Sequence, residues 1–430
     1  MKKIYYAVLL TTAMLFSSGC EKNFDPKIYG VLTSQNFPVS EADFESLMMS
    51  CYVPFVNTWT YSLYASSGNL HPWYIPAGGV LKMFDATSDL EAPWINGVWD
   101  NDLRQLSEAN YSMCVYYSRS VLSDSRPNNY PKTREVTRFT DVIGAIEKAP
   151  ATKISEARKN EILAEARLCR GLHMYNLLHV YGPVPLIVNP DDVENSEALN
   201  NAVRPSLDEI SGWIYDDFKF AARYAPENQT AKGRFTRDFA RVCLMRHCLN
   251  EGYHVQGYYR KALDMYNELN TGRYSLFRKG ENPYREMFRE VNDFNVEIIA
   301  AISCDPSSTG NSKEGGMNPF AMLAMPNNCA KKDDLGNPTP FSVVGPGWGM
   351  TFNFAPGFYR NFADGDLRKE SIITRYYTTT GEWWGPEQIG SKSEWDGYVP
   401  YKYHALLICA STSSNGTVEA SFFFSTLIRW

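Results

Sequence analysis

Aromatic side chains are the groups in this sequence best suited to contact a ligand. The chain has 10 Trp, 27 Tyr and 23 Phe against 42 Lys and Arg, and its formal net charge is −6. We therefore expect a binding site to use ring faces, and the acidic balance argues against nucleic acid as a partner. Six rings in loop-rich stretches are the leading ligand-binding candidates: Trp73, Tyr74, Trp348, Trp383, Trp384 and Trp395.

The surroundings of these rings favour ordered binding loops. Residues 54–93 mix Ser, Gly, Pro, Trp and Tyr, and residues 303–349 carry Gly and Pro so densely that no long helix or strand fits. Loops longer than about 15 residues in a compact domain are usually functional or disordered, and a disordered loop would not normally carry tryptophan. Packing within the loops is the alternative for each ring. Asn69, His71 and Arg360 are weaker candidates for hydrogen bonds to a ligand.

The common catalytic motifs are absent from the sequence. It contains no G-x-S-x-G, no H-E-x-x-H, no G-x-x-x-x-G-K-[ST] and no G-x-G-x-x-G. A glycosidase would need two carboxylates on either side of a sugar, and no single pair can be chosen from 48 acidic residues. The absence of a motif does not exclude that enzyme class, but nothing in the sequence argues for it, and we assign no catalytic residue.

The potential metal ligands in the sequence do not form a recognisable metal-binding set. The histidines in helical segments are spaced as helix-surface or core residues: His173, His179, His247 and His254. The carboxylates at residues 364–366 are close enough to suit calcium, but an ordinary turn is the favoured interpretation. We predict no cofactor and no metal site.

The amino terminus has the pattern of an export signal. Lys2 and Lys3 precede an apolar stretch too short to span a bilayer, and Ser17-Ser18-Gly19-Cys20 follows it. We interpret residues 1–19 as a signal peptide cleaved before Cys20, and residues 20–37 as a lipidated tether. Acyl chains on Cys20 would anchor the protein to a membrane, since each buried CH₂ contributes ~0.8 kcal/mol. An ordinary secretory signal is the alternative, and no later segment is apolar enough for a transmembrane helix.

Helical periodicity dominates the rest of the chain. A capping-box pattern at residue 40 precedes an apolar stripe formed by Phe44, Leu47, Met48, Cys51 and Tyr52. Further helices are predicted at residues 93–121, 154–181, 206–224, 236–250 and 257–270. The glycine stops at Gly182 and Gly252 are separated by about two periods of the 34-residue tetratricopeptide repeat. We predict an all-α fold of repeat-like helix pairs, an architecture that more often holds partners than performs chemistry.

The cysteines after Cys20 are scattered and form no C-x-x-C pair. Several fall in amphipathic helical patterns, where a thiol behaves as a small hydrophobe, so we expect most of them in the core. Cys304 and Cys329 are the candidate pair if the exported chain forms a disulfide bond.

One segment of the helical region is specific enough to suggest a family. Residues 162–175 read ILAEARLCRGLHMY, and residues 180–186 read VYGPVPL. This motif resembles the signature of the SusD/RagB family, lipid-anchored outer-membrane nutrient-binding proteins of the Bacteroidetes. Further landmarks that look familial are Cys20, Cys51-Tyr52, 106–110, 232–236, 240–242, 270–276 and 296–299. The resemblance covers essentially the whole chain after the signal peptide.

The resemblance implies an all-α fold of tetratricopeptide-like helix pairs, with a loop-rich region that carries the ligand site. It implies that residues 38–430 form one SusD-like domain. It also implies a partner, a SusC-like TonB-dependent outer-membrane barrel that the protein caps like a lid. The motif at residues 162–186 is structural in the family and brings no binding role. Residues 425–430 look like the start of a late family helix that usually continues, so we expect the domain to be truncated at its carboxyl end.

The favoured function is an outer-membrane lipoprotein that binds oligosaccharide and delivers it to this barrel. Sugars present apolar C–H faces that stack on Trp and Tyr, which fits the candidate rings. Peptide binding, as in RagB-like members, stays open because it shares the fold and differs only in ligand. A surface glycosidase on a helical scaffold is the less favoured alternative.

Overall fold

In the computed structural model of the chain, the described residues are 37–56, 88, 109, 119–120, 124–127, 130–229, 231, 233–269, 272–292, 294–301, 325–342, 354–385 and 398–401. The α-helices are α1 (Glu41–Met49), α2 (Val53–Val56), α3 (Tyr130–Glu147), α4 (Glu156–Tyr181), α5 (Ser196–Asn200), α6 (Leu207–Tyr224), α7 (Arg237–Glu251), α8 (Tyr258–Leu269), α9 (Pro283–Glu286) and α10 (Pro356–Arg360). Short 3-10 turns lie at Ser50–Tyr52, Pro190–Asp192, Glu290–Asn292 and Leu367–Ser371. The strands are β1 (Arg119–Ser120), β2 (Asp124–Pro127), β3 (Ile372–Ile373), β4 (Tyr376–Tyr377), β5 (Trp383–Trp384) and β6 (Val399–Pro400). They form antiparallel pairs: β1 with β2, β3 with β6, and β4 with β5.

Local sequence signals set the ends of the long helices. Ser40 forms the predicted capping box of α1, and Ser206 with Glu209 forms that of α6. Helix α4 is capped by Gly182, which has a φ of +69°. Glycine is favoured at this position because other residues adopt such a left-handed backbone only under strain. The helices predicted at 154–181, 206–224, 236–250 and 257–270 are confirmed to within two residues at each end.

The structure differs from the sequence predictions in two places. Helix α3 was not predicted, although Val136, Phe139 and Ile143 form a buried stripe along it. The helix predicted at residues 93–121 is wrong at its carboxyl end, where Arg119–Ser120 is strand β1. Ala109, at a φ of +57°, also lies outside the helical region. Strand β1 is determined by its backbone pairing with β2, and the spacing of apolar residues along one segment gives no indication of such a pairing. Most of residues 93–118 lie outside the described part of the chain.

The long helices pack on one another in chain order, α3 on α4, α4 on α6, α6 on α7 and α7 on α8. Helix α4 is the central element, with buried side chains on nearly every side from Ile162 to Leu178. Gly171 permits this close packing, because a Cβ there would lie 2.8 Å from the Phe218 ring on α6. The all-α class and the stacked helix pairs predicted from the sequence are confirmed. None of the described helices is both long and apolar enough to cross a membrane.

Three sequence landmarks that are far apart in the chain meet in one buried polar network. The Tyr52 hydroxyl donates to Glu165 on α4 at 2.5 Å, and the Phe235 amide donates to the Tyr52 oxygen at 2.8 Å. Arg234 donates to both carboxylate oxygens of Glu165, at 2.5 and 3.1 Å, and also binds Glu45 on α1. Burial, with the adjacent Glu165 charge, raises the pKa of Tyr52 well above its ordinary value. The landmarks therefore fix the amino-terminal helix to the body, which explains their spacing without a ligand.

The family-like motif at residues 162–186 has a similar structural role. Arg170 is almost fully buried and forms two parallel bonds to Asp217 on α6, Nε to Oδ2 and Nη2 to Oδ1, each 2.8 Å. Its Nη1 donates to Thr140 on α3 at 3.1 Å and to the Val188 carbonyl at 2.9 Å. One side chain thus joins three helices and the segment after α4.

The cysteines of the helical region lie in the core, as predicted. Four are buried free thiols: Cys51, Cys169, Cys243 and Cys248. Burial raises the pKa of Cys51 and of Cys248 to about 12, so these thiols stay protonated and unreactive at neutral pH. Cys304 lies outside the described residues, so its disulfide bond to Cys329 stays a prediction.

Candidate functional site

A second hydrophobic cluster, apart from the helical core, supports the loop-rich part of the chain. We call it the aromatic core, and its buried members are Met325, Cys329, Phe341, Ile373, Tyr376, Val399 and Tyr401. The Phe341 ring meets those of Tyr376 and Tyr401 edge to face, with centroids 5.9 and 6.0 Å apart. Within residues 325–342 the chain has no helix or strand, as predicted for this stretch, so ring packing takes the place of regular structure.

Strands β4 and β5 place two of the predicted site residues, Trp383 and Trp384, on a tight hairpin. Tyr376 lies opposite Trp384 and Tyr377 lies opposite Trp383 in the antiparallel register. We call residues 374–385 the tryptophan hairpin. Because successive side chains of a strand point to opposite faces, each doublet sends one ring to each face.

The turn of the tryptophan hairpin is held by Thr378 and Gly381. The Thr378 amide donates to the Glu382 carbonyl at 2.8 Å, and the Glu382 amide donates to the Thr378 hydroxyl oxygen at 3.1 Å. Gly381 has a φ of +85°, a backbone region that other residues adopt only under strain. The Thr378 side chain is buried, so these bonds are shielded from water and rigidify the turn.

The loop at residues 325–342 fixes the hairpin from one side. The Asn328 side-chain oxygen accepts a hydrogen bond from the Tyr376 hydroxyl at 2.8 Å, and its carbonyl accepts one from the Thr379 amide at 2.8 Å. The Ala330 amide donates to the Tyr377 carbonyl at 2.8 Å. These bonds hold the hairpin and its aromatic side chains in one position, so a ligand would meet a preorganised contact surface.

The inner face of the hairpin serves packing. Trp384 packs against the aromatic core, with its ring 6.1 Å from that of Tyr376. Its indole Nε1 donates to Glu382 Oε2 at 3.1 Å. For Trp384, the packing alternative is therefore the better description.

The outer face carries a ring pair that solvent can reach. Tyr377 and Trp383 are both half-buried, and their centroids lie 5.3 Å apart at an interplanar angle of 57°. The exposed guanidinium of Arg375 lies over the Trp383 ring, 4.9 Å from its centroid. We call Arg375, Tyr377 and Trp383 the outer-face triad, and it is the candidate site.

A further group of rings surrounds helix α10, close to strand β6. Phe354, Phe358 and Phe362 follow one another at 5.2 and 5.1 Å between centroids. Tyr359 contacts Tyr398 at 4.9 Å, directly before β6. These rings continue the aromatic character of the region, in which β3 pairs with β6 and leads directly into the hairpin.

The structure brings only part of the predicted site into view. Trp383 and Trp384 lie on the tryptophan hairpin, and the weaker candidate Arg360 is exposed at the end of α10. The remaining candidates lie outside the described residues: Trp73, Tyr74, Trp348, Trp395, Asn69 and His71. Arg375 and Tyr377 were not predicted. Two aromatic doublets separated by a short polar segment with one glycine are a hairpin signal that could have indicated Tyr377.

Within the described ranges, no group of three or more His, Cys, Asp or Glu side chains is placed to hold a metal ion. Asp366 in the acidic segment accepts from the Arg368 amide at 2.9 Å and also binds its guanidinium. These bonds lower the pKa of Asp366 to about 2. Gly365, with a φ of +80°, makes the turn before it. This segment is therefore an ordinary turn stabilised by its own arginine.

The histidines have structural positions. His173 and His247 are fully buried in the helical core, where His247 Nε2 donates to the Ser211 carbonyl at 2.9 Å. Burial lowers the pKa of His247 to about 4. His254 contacts Asp208 at 2.9 Å and Glu251 at 2.8 Å, and these bonds outweigh its desolvation and raise its pKa. The prediction of core and helix-surface histidines agrees with these positions.

Comparison with known proteins agrees with this architecture. No protein-family model matches the sequence. The chain is 24% identical over 310 residues to a SusD-like protein of Bacteroides ovatus, covering 70% of this chain and 49% of the relative. It therefore spans about half the length of the curated relative it matches.

Solved structures with the same fold include two kinds of glycan-binding protein. A laminarin-binding SusD-like protein has a TM-score of 0.64 at 18% identity, covering 89% of this chain and 77% of its own. Surface glycan-binding protein A from Bacteroides fluxus has a TM-score of 0.61 at 18% identity, covering 90% and 73%. The protein of that name from Bacteroides thetaiotaomicron has a TM-score of 0.60 at 14% identity, covering 90% and 75%.

The chain therefore has the SusD-like fold, and the SusD-like resemblance found in the sequence is confirmed. The helical stack is the scaffold of that fold, and the outer-face triad lies in its loop-rich part.

Proposed function

We propose that this protein binds oligosaccharide at the cell surface through ring faces that include Trp383 and Tyr377. The observation that carries the proposal is the half-exposed ring pair of the outer-face triad, held on a rigid hairpin. A sugar ring offers apolar C–H faces to such rings, and hydrogen bonds from neighbouring polar groups then fix its hydroxyls. The SusD-like fold, shared with proteins named for glycan binding, supports the same class of ligand.

The delivery step extends this proposal to a partner. We propose that acyl chains on Cys20 anchor the protein to the outer membrane, and that it caps a SusC-like TonB-dependent barrel and delivers the sugar to it. The small residues at 17–19 directly before Cys20, which form the pattern of a bacterial lipobox, support the anchor, and the SusD-like fold supports the partner. Metabolic labelling with a palmitate analogue tests the first part: the chain should take up label, and Cys20→Ala should abolish it. Co-purification with a barrel from outer membranes tests the second.

Calorimetry with neutral and acidic polysaccharides tests ligand binding directly. The chain should bind at least one glycan, and Trp383→Ala should weaken that binding about tenfold or more, the loss typical of a central aromatic contact. Tyr266→Ala is the matched control, because that ring is exposed on helix α8 of the helical body and should not affect affinity. Absence of heat with every glycan, or equal losses in both variants, would count against the proposal.

The proposed role is binding without turnover. The buried carboxylates of the helical body are engaged by basic side chains, as Glu165 is by Arg234 and Asp217 is by Arg170. They are therefore structural groups, not a pair of carboxylates facing a sugar. A reducing-sugar assay on each bound glycan should stay at baseline, and released reducing ends would favour the glycosidase alternative. Heat with a peptide pool but with no glycan would favour a RagB-like ligand.

The candidates beyond the described residues belong to the same proposal. Trp73, Tyr74, Trp348 and Trp395 are expected to extend the ring-face surface. Trp384 is expected to support the hairpin from within, so its loss should lower stability and not affinity alone.

A further inference from the structure

The guanidinium of Arg375 is the one positively charged group of the tryptophan hairpin. Its side chain is exposed, and within the described ranges it forms no ion pair and makes a ring contact with Trp383 alone. Arg368, a few residues earlier, is different, because its guanidinium binds Asp366 through several bonds, the shortest 2.6 Å. Arg368 is thus neutralised by its own turn, whereas the Arg375 guanidinium has no ion pair with any described residue.

The strand geometry places this charge beside the ring pair. Arg375 and Tyr377 are two residues apart, and both contact Trp383, so they lie on the same face of the hairpin. Two residues along a strand span about 7 Å. A sugar ring in contact with Tyr377 or Trp383 would therefore have an equatorial substituent within reach of the guanidinium.

The nearest acidic side chain of the hairpin is held on the other face. Glu382 accepts the indole proton of Trp384, which packs inward. The two residues at the tip of the turn, Thr379 and Thr380, are exposed and neutral. The outer face of the hairpin therefore combines two ring faces, the Tyr377 hydroxyl and the Arg375 guanidinium, without a carboxylate of the hairpin that would repel an acidic ligand.

We propose that the outer-face triad selects acidic sugars, with Arg375 binding the carboxylate of a uronic acid unit whose ring contacts Tyr377 and Trp383. This inference rests on the proposed glycan binding and specifies its substrate class. The guanidinium fork matches the two oxygens of a carboxylate, and stacking on Trp383 orients it before the ligand arrives. The chain's net charge of −6 does not prevent an acidic ligand from binding here. Solvent screens exposed charges beyond about 8 Å at physiological ionic strength, so the nearby guanidinium dominates at the site.

The test compares acidic sugars with forms in which only the carboxylate is neutralised. Oligosaccharides of polygalacturonate, alginate and glucuronoxylan are titrated calorimetrically beside their methyl esters. At least one acid form should bind about tenfold more tightly than its ester, since a hydrogen bond between two charged groups is stronger than one to a neutral ester. Raising the salt concentration should weaken binding of the acid form and leave the ester unchanged.

Variants separate a carboxylate contact from a supporting role for Arg375. Arg375→Gln should weaken binding of the acid form about tenfold more than binding of its ester, and Arg375→Lys should restore part of that difference. Arg260→Gln is the control, because that arginine is exposed on helix α8 and should alter neither affinity. Near-ultraviolet circular dichroism of the Arg375 variants should match that of the parent, which shows that the hairpin has kept its packing.

The remaining outcomes also decide between the two proposals. Equal affinity for acid and ester in all three pairs, or equal losses on Arg375→Gln, would overturn the inference. Binding of neutral glycans but of no acidic one would overturn it and leave the proposed function standing. Binding of no glycan of either kind would overturn both.

Discussion

The ion pair between Arg170 and Asp217 makes a sharp prediction about the stability of the helical body. Both side chains are almost completely buried, and their two parallel hydrogen bonds are each 2.8 Å long. Arg170→Met keeps most of the volume of the side chain but removes both charged donors. Asp217 would then be a buried charge without a counter-ion, in the middle of the stack of α3, α4 and α6.

The expected cost follows from that isolated charge. Breaking a buried ion pair from one side costs about 3–5 kcal/mol, whereas replacing both partners by apolar groups is often neutral. Arg170→Met should therefore lower the free energy of unfolding by about 4 kcal/mol, a large fraction of the roughly 5–15 kcal/mol typical of a domain. The double variant with Asp217→Leu should recover at least about 2 kcal/mol of that loss, because no uncompensated charge remains.

Urea unfolding followed by circular dichroism measures these free energies, provided the slope of the transition is unchanged. Arg260→Met is the matched control. Its side chain is 77% exposed and 3.5 Å from Asp264, so its loss should cost less than about 0.5 kcal/mol. A loss below about 1 kcal/mol for Arg170→Met would refute the argument, as would a double variant no more stable than Arg170→Met alone.

Three further predictions concern packing, pH and the hairpin. Gly171→Ala should cost about 1–3 kcal/mol in urea unfolding, because its Cβ would lie 2.8 Å from Phe218, whereas Gly212→Ala, with nothing within 4 Å, should be neutral or stabilising. Burial lowers the pKa of His247 from 6.5 to about 4, so as the pH falls the imidazole is protonated in the unfolded state before it is protonated in the folded state. The free energy of unfolding should therefore fall by about 2 kcal/mol from pH 7 to pH 5. His247→Gln should flatten that dependence, and an unchanged slope would contradict the assignment. Thr378→Val should speed hydrogen exchange of the turn amide that donates to its hydroxyl at 3.1 Å, while exchange in the helical core stays unchanged.

The sequence was informative where one helix carries its own signals. The ends of α6 follow from the capping box of Ser206 and Glu209, a contact between residues one turn apart. Helix α4 follows from its apolar coverage and from Gly182. The sequence was misleading at residues 119–120, because a strand pairing is invisible to a local periodic pattern.

The candidate site shows the same limit. Residue type alone marked Trp383 and Trp384 as equivalent candidates, but the register of the hairpin places them on opposite faces, and Trp384 packs against the aromatic core. The same register brings Arg375 and Tyr377 to Trp383, and composition gives no indication of that contact.

The amino-acid sequence by itself determined the all-α class, the ends of the long helices, the core cysteines and the family resemblance. These depend on periodicity, capping and motif, which act between residues close in the chain. Only the tertiary structure decided which landmarks meet at Glu165, how Arg170 joins three helices, and which ring of the hairpin packs against the aromatic core. Those outcomes depend on contacts between residues far apart in sequence, because burial and charge pairing are properties of the assembled core and not of a segment.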